Sequence, residues 1–550
     1  MAIAVHPGNG LDATSAIQAA INTGAANVLI PYASGYDWIV SSPESFTDND
    51  ASDDPSALLM VSNQILTLGP GVVLKAKADS FHGKYQALLG AFNKTNVGLV
   101  FGAGSRIEMR KSDYTTGPFI GSPAVNALGY ANAEWRHCAR IVGSSNVNIQ
   151  GAGEEHLIQS GGDGMEIVAS VDGLRTTSSN VEVLDVVMAD NHRLGCSITS
   201  GNFVTMRRCG FLRSVGTSPR SGLCLEPNAN SGDILTNILI DQCFASGNTS
   251  VGFITTLSMM GSGHAAVSII FRNCVASGPG WGYKLDMITG GPPGGTIELI
   301  DCTADDVQYA GLRIEWHIDS AIELKFTRCN LRTSALRAEE RPIDILLYGS
   351  PTGYGIDFSE CYVSDLPDRA VINVTSDGGT ATNVHGNVYL DRLGDTQSHY
   401  MPLLPFLNVV PYISPPLPNS DAITEKFQFY SDYYAFAAEA GLNRARAVYP
   451  GITTTTLVDV STIINRPNSN IATANMTRAF DASYEYLWRD AQNTGSLQDA
   501  FHALSRYILE AEGVDINTFI TNKNIQVERL YATLANIFGE SITESNRKAP

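Results

Sequence analysis

Long apolar runs are missing. Nowhere do about 18 apolar residues follow one another, so no membrane-spanning helix is expected. Basic residues are scarce: 36 Lys and Arg stand against 55 Asp and Glu, a formal net charge of −19. The basic stripe that a nucleic-acid partner requires is therefore not expected. The same imbalance weighs against a strongly anionic polymer as ligand, although a local basic groove would escape that argument. The opening Met1-Ala-Ile-Ala-Val-His-Pro lacks the basic and apolar regions of a secretory signal. The chain is expected to remain in the cytoplasm that makes it or to leave by lysis. Nothing in the sequence calls for a cofactor. The loop Asp48-Asn49-Asp50-Ala51-Ser52-Asp53-Asp54 is rich in hard oxygen ligands, but it lacks the glycine and distal glutamate of an EF-hand. It reads as a solvated acidic loop, and no metal site is assigned. Charged residues make up only 17% of the chain while glycines number 51, a composition that suits a turn-rich β protein.

Cysteine is present in an odd number, nine, and its placement is periodic. Cys209, Cys243, Cys274, Cys302, Cys329 and Cys361 follow one another at gaps of 34, 31, 28, 27 and 32 residues, in similar phrases such as MRRCGF, IDQCFA and FRNCVA. Val186 occupies the same place one coil earlier. A second phrase recurs between the cysteines, a glycine followed by apolar residues at +1 and +3: GMEI from Gly164, GCSI from Gly195, GLCL from Gly222, GFIT from Gly252, GYKL from Gly282 and GLRI from Gly311. Period-two alternation marks a strand with one buried face. Self-similarity at about 30 residues marks stacked coils. The pattern predicts a right-handed parallel β-helix over residues 1–400, mainly β, with at least two strands per coil. A solenoid also accommodates 550 residues without one oversized core, because it grows by adding coils. The cysteines are expected to stack inside as small buried apolar groups rather than disulfides, because equivalent side chains project in parallel. Asp12 or Thr14 is expected to cap a short amphipathic helix over Ser15-Ala-Ile-Gln-Ala-Ala-Ile21, followed by a strand at Val28-Leu29-Ile30-Pro31. This helix would cover the open end of the solenoid.

The stretch 402–418, PLLPFLNVVPYISPPLP, holds six of the 24 prolines and is expected to end the β-helix as part of a stiff linker, 401–419. Helical periodicity follows over 420–550. Ile423, Phe427, Tyr430 and Tyr434 share one face; so do Met476, Phe480, Tyr484 and Leu487. A capping box, Ser496-Leu-Gln-Asp499, starts a third helix, and Val527, Leu530, Leu534 and Ile537 form a fourth. This region is either a plain helical bundle or an oligomerisation or docking module.

The opening LDATSAIQAAI followed by NVLIP resembles the start of the pectate-lyase-like β-helix superfamily, and most of all bacteriophage tailspike proteins. GTSPRSGLCLEPN, Gly216 to Asn228, also resembles a turn of that group. The resemblance covers about residues 8–400. It implies a virion protein that binds, and in some members cleaves, a host cell-surface polysaccharide, assembled as a homotrimer and docked to other virion proteins. Because the β-helix begins within the first dozen residues, docking would fall to the helical tail or an adaptor. A non-catalytic structural or decoration protein of the virion, and a bacterial polysaccharide lyase or hydrolase, share this fold. The polygalacturonase dipeptides are present as Asp305-Asp306 and Gly263-His264, in reversed order, so no roles carry over.

Register suggests where chemistry would sit. If +1 and +3 of the glycine phrase face inward, +2 and +4 face outward. The +4 column then carries Glu226, Asp286 and Glu315, the +2 column Lys284 and Arg313, and His317 follows at +6. Asp286 and Glu315 fall on adjacent coils about 4.8 Å apart, near the separation of paired carboxylates in a retaining glycosidase; Glu226 lies two coils from Asp286, roughly 10 Å, nearer the inverting range. Two close acids also raise one pKa, as an acid catalyst needs. Trp281, Tyr309 and Trp316 are candidates to stack on sugar rings, while Tyr283 should face inward. The same residues equally describe a solvated face on which Lys284 and Arg313 neutralise their neighbours. A second candidate is the turn Asp190-Asn191-His192-Arg193, with Arg220 on the next coil; His192 as base and Arg193 as cation would suit a lyase, and turn capping is the alternative.

Overall fold

A computed structural model describes residues 1–42, 56–116, 125–171, 174–228, 232–261, 263–278, 280–286, 294–316, 322–333, 341–347, 355–364, 372–376, 384–390 and 407–411. All of them belong to the first of two compact units, Met1–Ser414. The expected helices of 420–550 and the acidic loop 48–54 lie outside the described residues.

One coil serves for all. Gly201–Arg207 forms a long strand, Gly210–Leu212 a short one and Ser221–Leu225 a third. Each pairs in parallel with its equivalent one coil later: Leu235–Asp241, Phe244–Ser246 and Val251–Thr256. The chain is thus a parallel β-helix with three faces, here called first, second and third in chain order. Among the described residues the third face contains eleven strands, from Ser56–Leu59 to Ile372–Ser376. One continuous apolar core runs inside, from Ala4 to Leu407.

The cysteine ladder marks the corner between the first and second faces. The residue before each ladder position is left-handed: Asp185 (φ 55°), Arg208 (50°), Gln242 (54°), Asn273 (52°), Asp301 (54°), Arg328 (50°) and Glu360 (55°). That conformation turns the strand sharply and sends the next side chain inward. All nine cysteines are free and buried. Each ladder thiol donates to a carbonyl of the preceding coil, from Cys209 to Val183 at 3.4 Å through Cys361 to Phe326 at 3.3 Å. A residue in this conformation costs about 1–3 kcal/mol when it is not glycine. Arg208 forks onto Asp185 (2.7 and 2.8 Å) and Arg328 onto Asp301 (2.8 and 2.7 Å), tying the turn of one coil to the next.

The glycine that opens each third-face phrase has a steric cause. A Cβ on Gly195 would lie 2.7 Å from the Gly222 carbonyl oxygen and 3.0 Å from Phe211 Cβ. The third-face strand enters beneath the second face too closely for any side chain.

The amino-terminal helix, Thr14–Asn22, buries Ile17, Ala20 and Ile21. Its N-cap is Ala13, not Asp12 or Thr14. Asp12 still serves the first turn, because its Oδ1 accepts from the Thr14 amide (2.9 Å) and hydroxyl (2.6 Å). Gln18 closes the open edge of the third face by accepting from the Leu59 amide (2.8 Å) and donating to its carbonyl (3.0 Å). At the other end the sheet runs further than the proline content suggested. Leu407–Pro411 pairs in parallel with Val384–Leu390, inside the stretch read as linker. Pro411 is its last residue, where the missing N–H costs least.

Candidate functional site

The outer side of the third face carries the candidate residues, and its register is regular. Arg140, Glu166, Ser197, Cys224, Ile254, Lys284, Arg313 and Asp344 form one outward column through successive pairings. Their neighbours Ile167, Leu285 and Ile314 point into the core. Thr256, Asp286 and Glu315 form a second outward column. Asp286 and Glu315 are therefore direct cross-strand partners, as the glycine phrase required.

They sit in an ion-pair network. Lys284 Nζ lies 3.2 Å from Glu315 and 3.7 Å from Asp286. Arg313 bonds Glu315 through Nε at 2.6 Å and Asp344 through Nη1 at 2.8 Å. Burial alone would raise the Glu315 carboxyl, but Lys284 and Arg313 outweigh it and hold the group below its ordinary value. Glu315 is thus ionised at neutral pH, fit to accept a proton or stabilise positive charge rather than to donate a proton. Trp281 packs beside Tyr309, ring centroids 4.6 Å apart, with Arg313 5.3 Å above its ring. Trp281 also packs against a small buried apolar cluster of Leu194, Cys224, Val251 and Ile254. Trp316 ends its strand, Leu312–Trp316, but its side chain and His317 lie outside the described residues.

Glu226 belongs to a different group. It is bonded by Arg193 Nη2 at 3.2 Å. Nη1 of the same guanidinium approaches Asp163 at 3.4 Å, and Nε lies 4.0 Å from Glu134. Arg193 thus lies across the face, from the entry edge of the strands to their exit. Asp163 is 0% exposed and accepts from the Ser197 hydroxyl at 2.7 Å; its Oδ1 is buried with no hydrogen-bond partner. Burial pushes its carboxyl up to about 7 against the pull of Arg193 and Ser197. Glu166 is bonded by Arg140 Nε at 2.6 Å and flanked by His137 at 3.7 Å. Burial lowers His137 to about 4, so it is neutral.

Reading the sequence missed Asp163, His137 and Arg140 as site residues and left Glu166 without a role. One signal was available: Asp163 is the charged residue directly before a phrase glycine, where the other coils have Leu194, Ser221, Val251, Trp281 and Ala310.

The second candidate turn does not assemble. His192 Nε2 meets Thr217 Oγ1 at 2.7 Å, and burial beside Lys111 and Arg136 lowers it to about 4. Asp190 is held by Arg213 (2.8 Å twice), and Asn191 caps the Ser160 amide at 3.0 Å. Arg193 points away to Asp163 and Glu226. His192 and Arg193 therefore serve separate neighbourhoods.

No protein-family model and no curated relative matches the chain. Among solved structures, the chain is similar to the tailspike protein of E. coli bacteriophage HK620 in complex with pentasaccharide, at 13% identity and TM-score 0.47, over 70% of this chain and 64% of that one. It is also similar to the A-module of Azotobacter vinelandii mannuronan C-5 epimerase AlgE6 (14%, TM-score 0.48, 75% of this chain and 98% of that one). A third is the polygalacturonase of Erwinia carotovora ssp. carotovora (16%, TM-score 0.39, 74% and 92%). The likeness is one of fold. Tailspikes and polygalacturonase-like β-helices are thus among its structural neighbours, and the chain spans under two thirds of the tailspike's length.

Proposed function

We propose that the third face of this β-helix binds a cell-surface polysaccharide and that Asp286 and Glu315 cleave it. The observation that carries the reading is the direct cross-strand pairing of these two carboxylates beside Lys284, Arg313 and Trp281 on one outer face. Adjacent strands sit about 4.8 Å apart, close to the separation at which one carboxyl acts as acid and the other as nucleophile with retention. Glu315, held ionised by Lys284 and Arg313, suits the nucleophile, and Asp286, its cross-strand partner, is assigned the complementary role. Glu226, on another guanidinium, is the alternative partner. The tailspike-like opening residues support a place on a virion as a homotrimer, with residues 420–550 or an adaptor docking to other virion proteins.

Incubation with a panel of bacterial polysaccharides, reading reducing ends and the absorbance of unsaturated sugars, tests the reading. Release of reducing ends without unsaturation is expected, and Asp286→Asn or Glu315→Gln should lower turnover by at least about a hundredfold. Full activity in both variants overturns the assignment. One observation favours a second reading: Glu315 is already fully engaged by Lys284 and Arg313. Binding without turnover in the wild type would make the spike a non-catalytic binding or decoration protein.

A further inference from the structure

The corner where the second face gives way to the third forms a line of its own across successive coils. Backbone hydrogen bonds trace it. The Arg193 amide donates to the Gly162 carbonyl at 3.0 Å, the Ser250 amide to the Arg220 carbonyl at 3.1 Å, and the Trp281 amide to the Ser250 carbonyl at 2.7 Å. Arg193 and Arg220 are neighbours, because the strands that follow them pair Leu194 with Ser221. Gly162 lies against the segment around Trp135: a Cβ there would collide with the Glu134 carbonyl oxygen and lie 2.9 Å from the Arg136 amide nitrogen. Five successive pairings carry the line from the coil of Trp135 to that of Trp281. At roughly 4.8 Å each they span about 24 Å, room for several sugar residues.

Aromatic rings stand at both ends. Tyr85 and Trp135 are half-buried and stack nearly parallel, with centroids 4.8 Å apart and 12° between their planes. Trp281 and Tyr309, also half-buried, mark the other end. Between them the two guanidiniums differ. Arg193 is committed to Asp163, Glu226 and Glu134. Arg220 is exposed and enters no ion pair among the described residues. It stands at a left-handed turn position (φ 52°), just ahead of the strand Ser221–Leu225.

An exposed guanidinium without a carboxylate of its own offers a planar fork to a carboxylate ligand. An aromatic face takes the apolar side of a sugar ring and asks for no charge. We infer that this corner is a glycan track along the entry edge of the third face, on which Arg220 receives the carboxylate of an acidic sugar, a uronate or a sialate, while Trp135 and Trp281 hold neutral sugars on either side. This assignment rests on the polysaccharide reading above and deepens it: the substrate is a heteropolysaccharide with isolated acidic residues. One open cation serves one acidic group, and a net charge of −19 supplies no general attraction for a polyanion.

The test is binding of the full chain to a panel of bacterial polysaccharides with one uronate or one sialate per repeat, each compared with its own carboxyl-reduced form. The native form of at least one should bind about tenfold more tightly than its reduced form, as expected for a charge-assisted pair. Arg220→Gln should erase that preference without moving the thermal midpoint, and Trp135→Ala should weaken native and reduced forms alike. Whether a uronate or a sialate member shows the preference identifies the acid. Equal affinity for native and reduced forms, a preference that survives in Arg220→Gln, or an unchanged affinity in Trp135→Ala overturns the inference while the polysaccharide reading stands. Binding of no glycan at all overturns both.

Discussion

At the scale of single residues, Asp163 is the most telling side chain on the third face. Its carboxyl is raised to about 7 by burial, so between its unfolded value near 4 and about pH 7 the folded state holds a proton that the unfolded chain has lost. Stability from this group is therefore fully present below about pH 4 and is lost as pH rises to about 7. His137 and His156, both lowered to about 4 by burial, act in the opposite sense, weakening the fold as pH falls from about 6.5. The two slopes overlap, so the contribution of Asp163 is isolated by comparing variants. Asp163→Asn keeps the shape and the Ser197 contact but cannot ionise. Relative to wild type it should gain stability as pH rises from 5 to 8, on the order of a few kcal/mol, read as a widening difference in denaturant midpoint. A difference that stays constant across this range would mean that Asp163 is ionised throughout and Arg193 fully offsets its burial. Asp163 was hidden from sequence reading for a physical reason. Its partners Arg193 and Ser197 are brought to it by coil stacking, and nothing local to GGDG announces them. Asp286 and Glu315 were legible because each lies at a fixed offset from a glycine whose role is steric and therefore repeats.

At the scale of elements, the repeat was legible where physics forces the same residue type at the same place. The inward corner after a left-handed residue admits a small apolar side chain, and Cys fills it six times running. The second face escaped notice because its strands, such as Gly210–Leu212 and Val275–Ser277, have three residues and cannot display a period of two. Within the proline-rich stretch, Leu407–Pro411 still pairs as a strand, with Pro411 as its last residue rather than in its interior. The ladder gives a direct test. Burial raises the Cys209, Cys243, Cys274 and Cys329 thiols far above their ordinary value, and thiolate is the reactive form. All nine cysteines should resist a thiol reagent in the native protein and react together in denaturant. Rapid labelling of several without denaturant would contradict the inward corner.

At the scale of the whole molecule, a solenoid that buries its core coil by coil presents long flat faces, and each face can be given a separate task. A homotrimer is expected, so light scattering at micromolar concentration should report three times the mass of 58.9 kDa; a monomer mass would remove the trimer from the proposal. The third face, with its paired carboxylates Asp286 and Glu315, is assigned to the glycan. Thr256 sits between Glu226 and Asp286 in its outward column, and Thr205 points outward from the first face. Glycan affinity should be measured for Thr256→Trp and Thr205→Trp against wild type, with thermal midpoints as the control for folding. The bulky side chain at Thr256 should weaken binding at least about tenfold, while the one at Thr205 leaves it unchanged. Unaltered binding by Thr256→Trp, with loss in Thr205→Trp, would place the glycan on another face.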